Sequence, residues 1–393
     1  MKVLILHQHF KIPQRGGAIR SYYLARALVD HGHEVVVLTG HTGKYYKENV
    51  EGIEVHWLPV PYHNAFGFLA RGFSFLNYIW KVLRSASLYR DVGVCYAISV
   101  PLTVGIAAIR IKKKFGIPFI FEVGDLWPDA PVEMGFIKNG FLKKWLYRLE
   151  KRIYAEAQSI VGLSPAINER INKKAVAKAV HLIPNMSDTC FYILKPKNES
   201  IEKEFGIQNK FVVSYIGALG LANGLEYLLA CAKESQRALL PVQFLICGEG
   251  ASLPALKQTA SEAGLNNVTF VPFQNRDGVR DIMNVSDAVF VCYAPAPILE
   301  TGSPNKYFDG LAAGKLIIVN FGGWIREEIE QHQCGIYIDP QKSSDFVTSI
   351  TPFLMNKPAL QQCQQSARIL AESRYSRKQL GDKFASIFNE LGS

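Results

Sequence analysis

Residues 1–40 read MKVLILHQHFKIPQRGGAIRSYYLARALVDHGHEVVVLTG. Val3-Leu4-Ile5-Leu6 is a short apolar run suited to a strand buried on both faces, and a loop holding Gly16-Gly17 follows it. Tyr22, Leu24, Ala25, Ala27 and Leu28 then recur at helical spacing. Gly32 punctuates, and Glu34-Val35-Val36-Val37-Leu38 forms a second strand. Strand, crossover helix and strand make a βαβ unit. The same alternation predicts strands at 53–58, 93–98, 118–123, 159–163 and 180–183, and it restarts with strands at 211–216, 243–247, 268–271, 288–292 and 316–319. At 393 residues the chain exceeds what one hydrophobic core organises. The expectation is an α/β protein with two Rossmann-like, doubly wound parallel-sheet domains, 1–192 and 200–372, whose strand C-termini face a central cleft. A polar linker at 195–200 joins them, and within 373–393 a last helix (about 376–391) crosses back to the first domain.

A hydrophobic fraction of 48% and a charged fraction of 20% fit a folded globular chain and exclude a disordered one. The seven cysteines are scattered with no Cys-x-x-Cys pair, which argues against a disulfide framework or structural zinc and for a reducing compartment. The N-terminal apolar run is too short for a signal peptide, and no apolar stretch reaches about 18 residues, so a cytoplasmic location without a transmembrane helix is expected. The net charge of +10 is uneven: residues 1–195 hold 26 Lys+Arg against 14 Asp+Glu, and residues 196–393 hold 18 against 20. A basic first half points to an anionic partner. Residues 66–90 mix Phe73, Phe75 and Trp80 with Arg71, Lys81, Arg84 and Arg90, and residues 138–152 set Trp145 at helical spacing beside Lys143, Lys144 and Arg148. Such aromatic-basic segments suit the interface of an anionic membrane, with Phe73, Phe75, Trp80, Lys143, Lys144, Trp145 and Arg148 as the contacts. No nucleic-acid recognition motif is present.

The most informative segment for chemistry is Glu300, Thr301, Gly302, Ser303, Pro304, Asn305, Lys306 and, one turn on, Asp309. It follows a strand and enters a helix, with Ser303 expected as N-cap and Pro304 at the first helical position. The helix N-terminus offers backbone N–H groups to an anion, and Lys306, a cation unfavourably placed in the first turn, makes sense there if an anionic ligand compensates it; an ordinary capped helix with solvated Lys306 and Asp309 is the alternative. Asp309 is suited to accept hydrogen bonds from a ribose diol. Two further glycine loops, Gly217 to Gly224 (with Asn223) and Gly248-Glu249-Gly250, let backbone approach a ligand. Three such loops in one domain form the layout of a nucleotide site. In the first half, Gly16 and Gly17 are placed to admit the far end of a donor, with Arg15 and Arg20 adding charge. Glu122 and Asp125 stand at a strand end, where either carboxylate is suited to hold an acceptor hydroxyl or to act as base; Glu122, Asp125 and Arg20 are the expected acceptor-binding residues, and Asp125 with Lys306 the expected catalytic ones. His7 and His9 lack carboxylate co-ligands, and there is no Asp-x-Asp motif, so neither a metal nor another cofactor is expected.

These features together resemble the retaining glycosyltransferases of family 4, with the GT-B fold, along nearly the whole chain. The resemblance rests on Gly16-Gly17 before a helix, Gly32 to Thr39, Ile183-Pro184-Asn185, Tyr215-Ile216-Gly217, Cys247-Gly248-Glu249-Gly250 and Ser303-Pro304-Asn305-Lys306 through Lys315. Asp125-Leu126-Trp127-Pro128-Asp129 is similar to enzymes that assemble O-antigen and capsule on a lipid carrier. The resemblance implies transfer of a hexosyl or N-acetylhexosaminyl group, with retention and without metal, from a nucleotide-diphospho-sugar (UDP is the commonest carrier) on the second domain. It further implies as acceptor a polyprenyl-diphosphate-linked saccharide held on the first domain, and with the aromatic-basic segments it sets the expectation of a peripheral place on the inner face of the cell membrane. Asp309 matches the second acid of the family's Glu-x7-Glu motif, and the first falls on Thr301 beside Glu300. The usual diphosphate-binding Arg and Lys fall on Ala218 and Asn223, leaving Lys306 and the helix N-terminus to stabilise the leaving group. A nucleotide-sugar 2-epimerase on the same fold and a non-catalytic, membrane-bound nucleotide-sugar binding protein are the alternatives.

Overall fold

The computed structural model describes residues 1–15, 17, 19–63, 66–86, 91–175 and 177–392. Gly16 and Arg90, both named above, lie outside the described residues. The chain divides into two compact units: Met1–Pro184 with Thr301–Ser303 and Lys378–Ser393, and Asn185–Glu300 with Pro304–Arg377.

The first unit is built on an eight-stranded sheet of β1 (Lys2–Leu6), β2 (Glu34–His41), β3 (Tyr46–Val50), β4 (Ile53–Pro59), β5 (Val94–Ile98), β6 (Phe119–Val123), β7 (Ser159–Gly162) and β8 (Ala179–Leu182). Their order is β3-β4-β2-β1-β5-β6-β7-β8, parallel except for β3, which runs antiparallel to β4. In β1 every residue after Lys2 is buried, and Leu4 registers with Val36 on one side and Cys95 on the other. This is the near-continuous apolar pattern of a strand covered on both faces. The helix Arg20–Asp30 packs with Tyr22, Leu24, Ala25 and Leu28 inward. β3 escaped the sequence reading because Tyr46-Lys-Glu-Asn-Val50 is a polar edge strand with no residue fully buried. The last helix, Arg377–Gly392, places Phe384 and Phe388 edge-on against the Tyr96 ring at 4.9 and 5.8 Å.

The second unit carries β9 (Phe211–Ile216), β10 (Val242–Cys247), β11 (Val268–Val271), β12 (Ala288–Val291), β13 (Leu316–Val319) and β14 (Gly335–Tyr337), all parallel, in the order β11-β10-β9-β12-β13-β14. One face of the sheet (Val213, Tyr215, Phe244, Ile246, Phe290 and Ile318) packs with Leu228 and Phe346 into the main core of this unit. At three residues β14 is too short to leave a periodic signal.

Two boundaries differ from the sequence reading. The first unit ends at Pro184 rather than 192, because Ser187 and Asp188 bond within the second unit: the Ser187 hydroxyl donates to the Phe308 carbonyl at 2.9 Å, and Asp188 pairs with Arg276. The segment 195–200 is docked rather than free. Lys197 pairs with Asp287 at 2.6 Å, the Asn198 amide donates to Asn284 at 2.8 Å, and Asn198 caps the helix Glu199–Phe205.

Candidate active site

In the second unit the loops after β9, β10 and β12 gather at the C-terminal ends of the strands, where open α/β sheets bind ligands. The first two lie against each other. Gly217 N–H donates to the Cys247 carbonyl at 3.0 Å, and Leu219 N–H to the Glu249 carbonyl at 2.8 Å. This explains two glycines: a Cβ on Gly248 would stand 1.9 Å from the Gly217 carbonyl oxygen, and one on Gly250 would stand 2.2 Å from that of Leu219.

The helix Asn305–Ala312 begins one residue later than expected. Pro304, in extended conformation, is the N-cap in place of Ser303, and no side chain caps the helix. Proline fixes the backbone at the turn and has no side-chain oxygen to turn back on the first N–H groups.

Lys306, in the first turn, reaches back to the β9 loop. Its ammonium lies 3.0 Å from the Tyr215 hydroxyl and 3.3 Å from Asn223 Oδ1, and above the Tyr215 ring at 4.4 Å and the Tyr293 ring at 5.8 Å. The Tyr215 hydroxyl gives its single proton to the Ala218 carbonyl at 2.7 Å, and Asn223 Nδ2 donates to the same carbonyl at 3.0 Å. Both groups therefore turn an oxygen towards Lys306, which must be the donor. Among the described residues no carboxylate pairs with it. Burial pushes the Lys306 pKa down to about 8. The site thus holds a desolvated cation whose hydrogen-bond partners, the Tyr215 hydroxyl and the Asn223 amide oxygen, are neutral. The positions where the resemblance places the missing Arg and Lys, Ala218 and Asn223, are the ones that frame this ammonium.

Asp309, one turn on, is half-buried. Burial raises its pKa to about 7, Arg276 opposes the shift, Asp188 adds to it, and the Tyr192 hydroxyl donates to the carboxylate. Glu300 accepts the Gly322 N–H at 3.3 Å and packs against Gly322 and Gly323. Asn305 is exposed, Pro304 is buried, and Thr301, Gly302 and Ser303 group with the first unit. The sequence reading missed Tyr215, Tyr293, Asn320 and Gly322. Asn320 brackets Tyr293 with two hydrogen bonds of 2.9 Å, one to its N–H and one to its carbonyl.

In the first unit two expected acceptor residues are engaged elsewhere. Arg20 pairs with Glu122 through Nη2 and Nε, at 2.9 and 3.3 Å, and also donates to the Ile183 and Pro184 carbonyls. The Tyr96 hydroxyl donates to the same carboxylate, and Glu122 is only 2% exposed. The acceptor role of Arg20 and Glu122 is therefore corrected to a structural one: a buried ion pair whose hydrogen-bonding capacity is satisfied within the fold. Asp125 differs. It makes no hydrogen bond or ion pair among the described residues, and though exposed it sits amid enough protein that desolvation raises its pKa. Gly17 is exposed, and Arg15 lies over the Trp57 ring at 4.4 Å and donates to the Tyr46 hydroxyl at 2.8 Å. His7 bonds Ser21 at 2.8 Å, and burial lowers its pKa to about 3. Among the described residues no group of three His, Cys, Asp or Glu could hold a metal ion.

The helix Phe68–Ala86 exposes Leu69 (84%), Phe73 (80%), Leu76 (62%) and Trp80 (53%), a stripe at i, i+4, i+7 and i+11, while Tyr78, Ile79 and Val82 face inward. Arg84 lies over the Trp80 ring at 4.7 Å. Phe75 is not part of the stripe: it is half-buried and stacked on Tyr62, which removes it from the expected contacts. The helix Gly140–Glu156 turns Phe141, Lys144, Trp145 and Arg148 outward, with Lys143 half-buried, and buries Leu146, Ile153 and Tyr154. Among the described residues no helix is long and apolar enough to cross a membrane.

Residues 15–186 match the model of the "Glycosyl transferase 4-like domain", and residues 197–369 match that of "Glycosyl transferases group 1". The chain is 21% identical over 350 residues to alpha-D-kanosaminyltransferase of Streptomyces kanamyceticus, covering 85% of this chain and 87% of that one. It is 23% identical over 211 residues to the putative colanic acid biosynthesis glycosyl transferase WcaI of Escherichia coli K12, covering 52% and 51%. Among solved structures it resembles Anabaena HepE in complex with UDP-glucose, with a TM-score of 0.74, 17% identity and coverage of 99% and 100%.

Proposed function

The chain belongs to the family 4 glycosyltransferases of the GT-B fold, and from that premise we propose that it moves a hexosyl or N-acetylhexosaminyl group, with retention, from a UDP-sugar to a lipid-linked saccharide in surface polysaccharide synthesis. The observation that carries the reading is the Lys306 ammonium, held by two neutral oxygens with no carboxylate paired with it among the described residues. A diphosphate supplies the missing negative charge. As the bond between the sugar's anomeric carbon and the diphosphate oxygen breaks, charge grows on that oxygen, and Lys306 with the uncapped helix N-terminus stabilises it. The acceptor hydroxyl forms the new bond on the same face of the sugar, and its proton passes to the departing phosphate oxygen. Asp309 holds the ribose hydroxyls, and Asp125 is the free carboxylate on the acceptor side. No metal enters these steps.

HepE is solved with UDP-glucose and WcaI is named for colanic acid biosynthesis, which supports the donor and the polysaccharide role. The exposed stripe of Phe68–Ala86 and the outward Lys144, Trp145 and Arg148 support a peripheral seat on an anionic bilayer, where a polyprenyl-linked acceptor resides. The test is a panel of nucleotide sugars mixed with purified protein and membrane extract, without added metal, followed by nucleoside diphosphate release. Release that needs both one donor and the extract is the expected result. Release that is indifferent to the extract, or epimerisation of the donor, would count against it.

A further inference from the structure

We propose that Tyr215 and Asn223 are positioning residues for Lys306: the Ala218 carbonyl takes a proton from each, so each presents an oxygen that aims the ammonium at the diphosphate. The inference rests on the leaving-group reading of Lys306 given above. Neither side chain touches substrate in this scheme; both act through the lysine.

The geometry leaves little freedom. A hydroxyl has one proton, and that of Tyr215 is committed to Ala218 at 2.7 Å, so at 3.0 Å from Lys306 it can only accept. The amide of Asn223 is oriented in the same way by its 3.0 Å bond to Ala218. An ammonium has three N–H groups, and with two directed at these oxygens the third has a fixed heading. The Tyr215 ring is fully buried among apolar side chains, a place phenylalanine would fill equally well, and Asn223 would still bond Ala218 without the tyrosine hydroxyl. The hydroxyl is therefore not required for packing. It also supports the charge. The titratable groups facing Lys306 are Tyr215 on β9 and Cys292 and Tyr293 beyond β12. Burial raises the pKa of both the Tyr215 phenol and the Cys292 thiol, keeping them neutral, so dipoles rather than opposite charges hold the cation.

The experiment compares Tyr215→Phe, Asn223→Ala and Lys306→Ala, alone and combined, in nucleoside diphosphate release. For Tyr215→Phe, kcat should fall about tenfold with donor KM nearly unchanged, as for loss of one hydrogen bond to a charged group. The alkaline limb of its pH profile should move to lower pH, because the ammonium has lost an acceptor. In the Lys306→Ala background neither substitution should cost anything more, since a residue acting through the lysine has nothing left to act on. Unchanged kcat and an unmoved limb, or losses that simply add to that of Lys306→Ala, would overturn the proposal. If Tyr215→Phe fails to fold, the Asn223→Ala and Lys306→Ala cycle decides by the same criteria. A wild type that turns over no donor would instead count against the leaving-group reading itself.

Discussion

At the scale of single residues, the site is a contrast between two ionisable groups with shifted titration. Lys306, lowered to about 8, is charged below that pH and loses its proton above it. Asp309, raised to about 7, is ionised above that pH and neutral below it. A neutral carboxyl has fewer acceptor sites for two ribose hydroxyls, so donor KM should rise as pH falls through about 7. Asp309→Asn should raise KM by about tenfold above pH 7, converge on the wild type at lower pH and so flatten that dependence, as expected for loss of hydrogen bonds to a charged group. A donor KM indifferent to pH over roughly one unit either side of 7 would remove Asp309 from the ribose. The glycine-loop and Pro-Asn-Lys segments were legible in the sequence because glycine punctuation and a proline before a helix are backbone signals that need no knowledge of distant partners. Tyr215 was not, since its partner Lys306 lies 91 positions away, and the Arg20–Glu122 pair, 102 positions apart, was read as two separate ligands for the same reason.

At the scale of elements, hydrophobic runs and glycine punctuation were enough to place the strands that align the site, because strands buried on both faces leave long apolar signals. The polar β3 and the three-residue β14 left none. Helix faces were harder to assign. In Phe68–Ala86 aromatic residues occur all round, and only packing distinguishes Phe73 and Trp80, which face out, from Phe75, which stacks on Tyr62. Each exposed aromatic that enters the interface contributes about 1.5–3 kcal/mol of partitioning. Flotation with vesicles containing anionic lipid should therefore recover the wild type, while Phe73→Glu with Trp80→Glu should remain with the aqueous fraction, and Phe75→Leu should behave like the wild type. High salt should weaken the interaction by screening its basic flank. Equal recovery of the double variant would place the membrane contact elsewhere.

At the scale of the whole molecule, the two sheets are built from one alternating pattern, yet the charge and chemistry are divided between them. The first half of the chain carries the basic excess, the exposed aromatic stripe and the unengaged Asp125, and the second unit carries the lysine cradle and Asp309. Ala218 and Asn223 stand where the family resemblance places diphosphate-binding cations, and Lys306 of the Asn305–Ala312 helix reaches Asn223 at 3.3 Å. The proposed leaving-group role of Lys306 rests on that arrangement. Its most direct test is the turnover of Lys306→Ala with donor and lipid acceptor both saturating, read as nucleoside diphosphate release. Loss of an electrostatic leaving-group contact predicts a fall in kcat on the order of 10²–10³ with donor KM changed little. Turnover within about twofold of the wild type would contradict it.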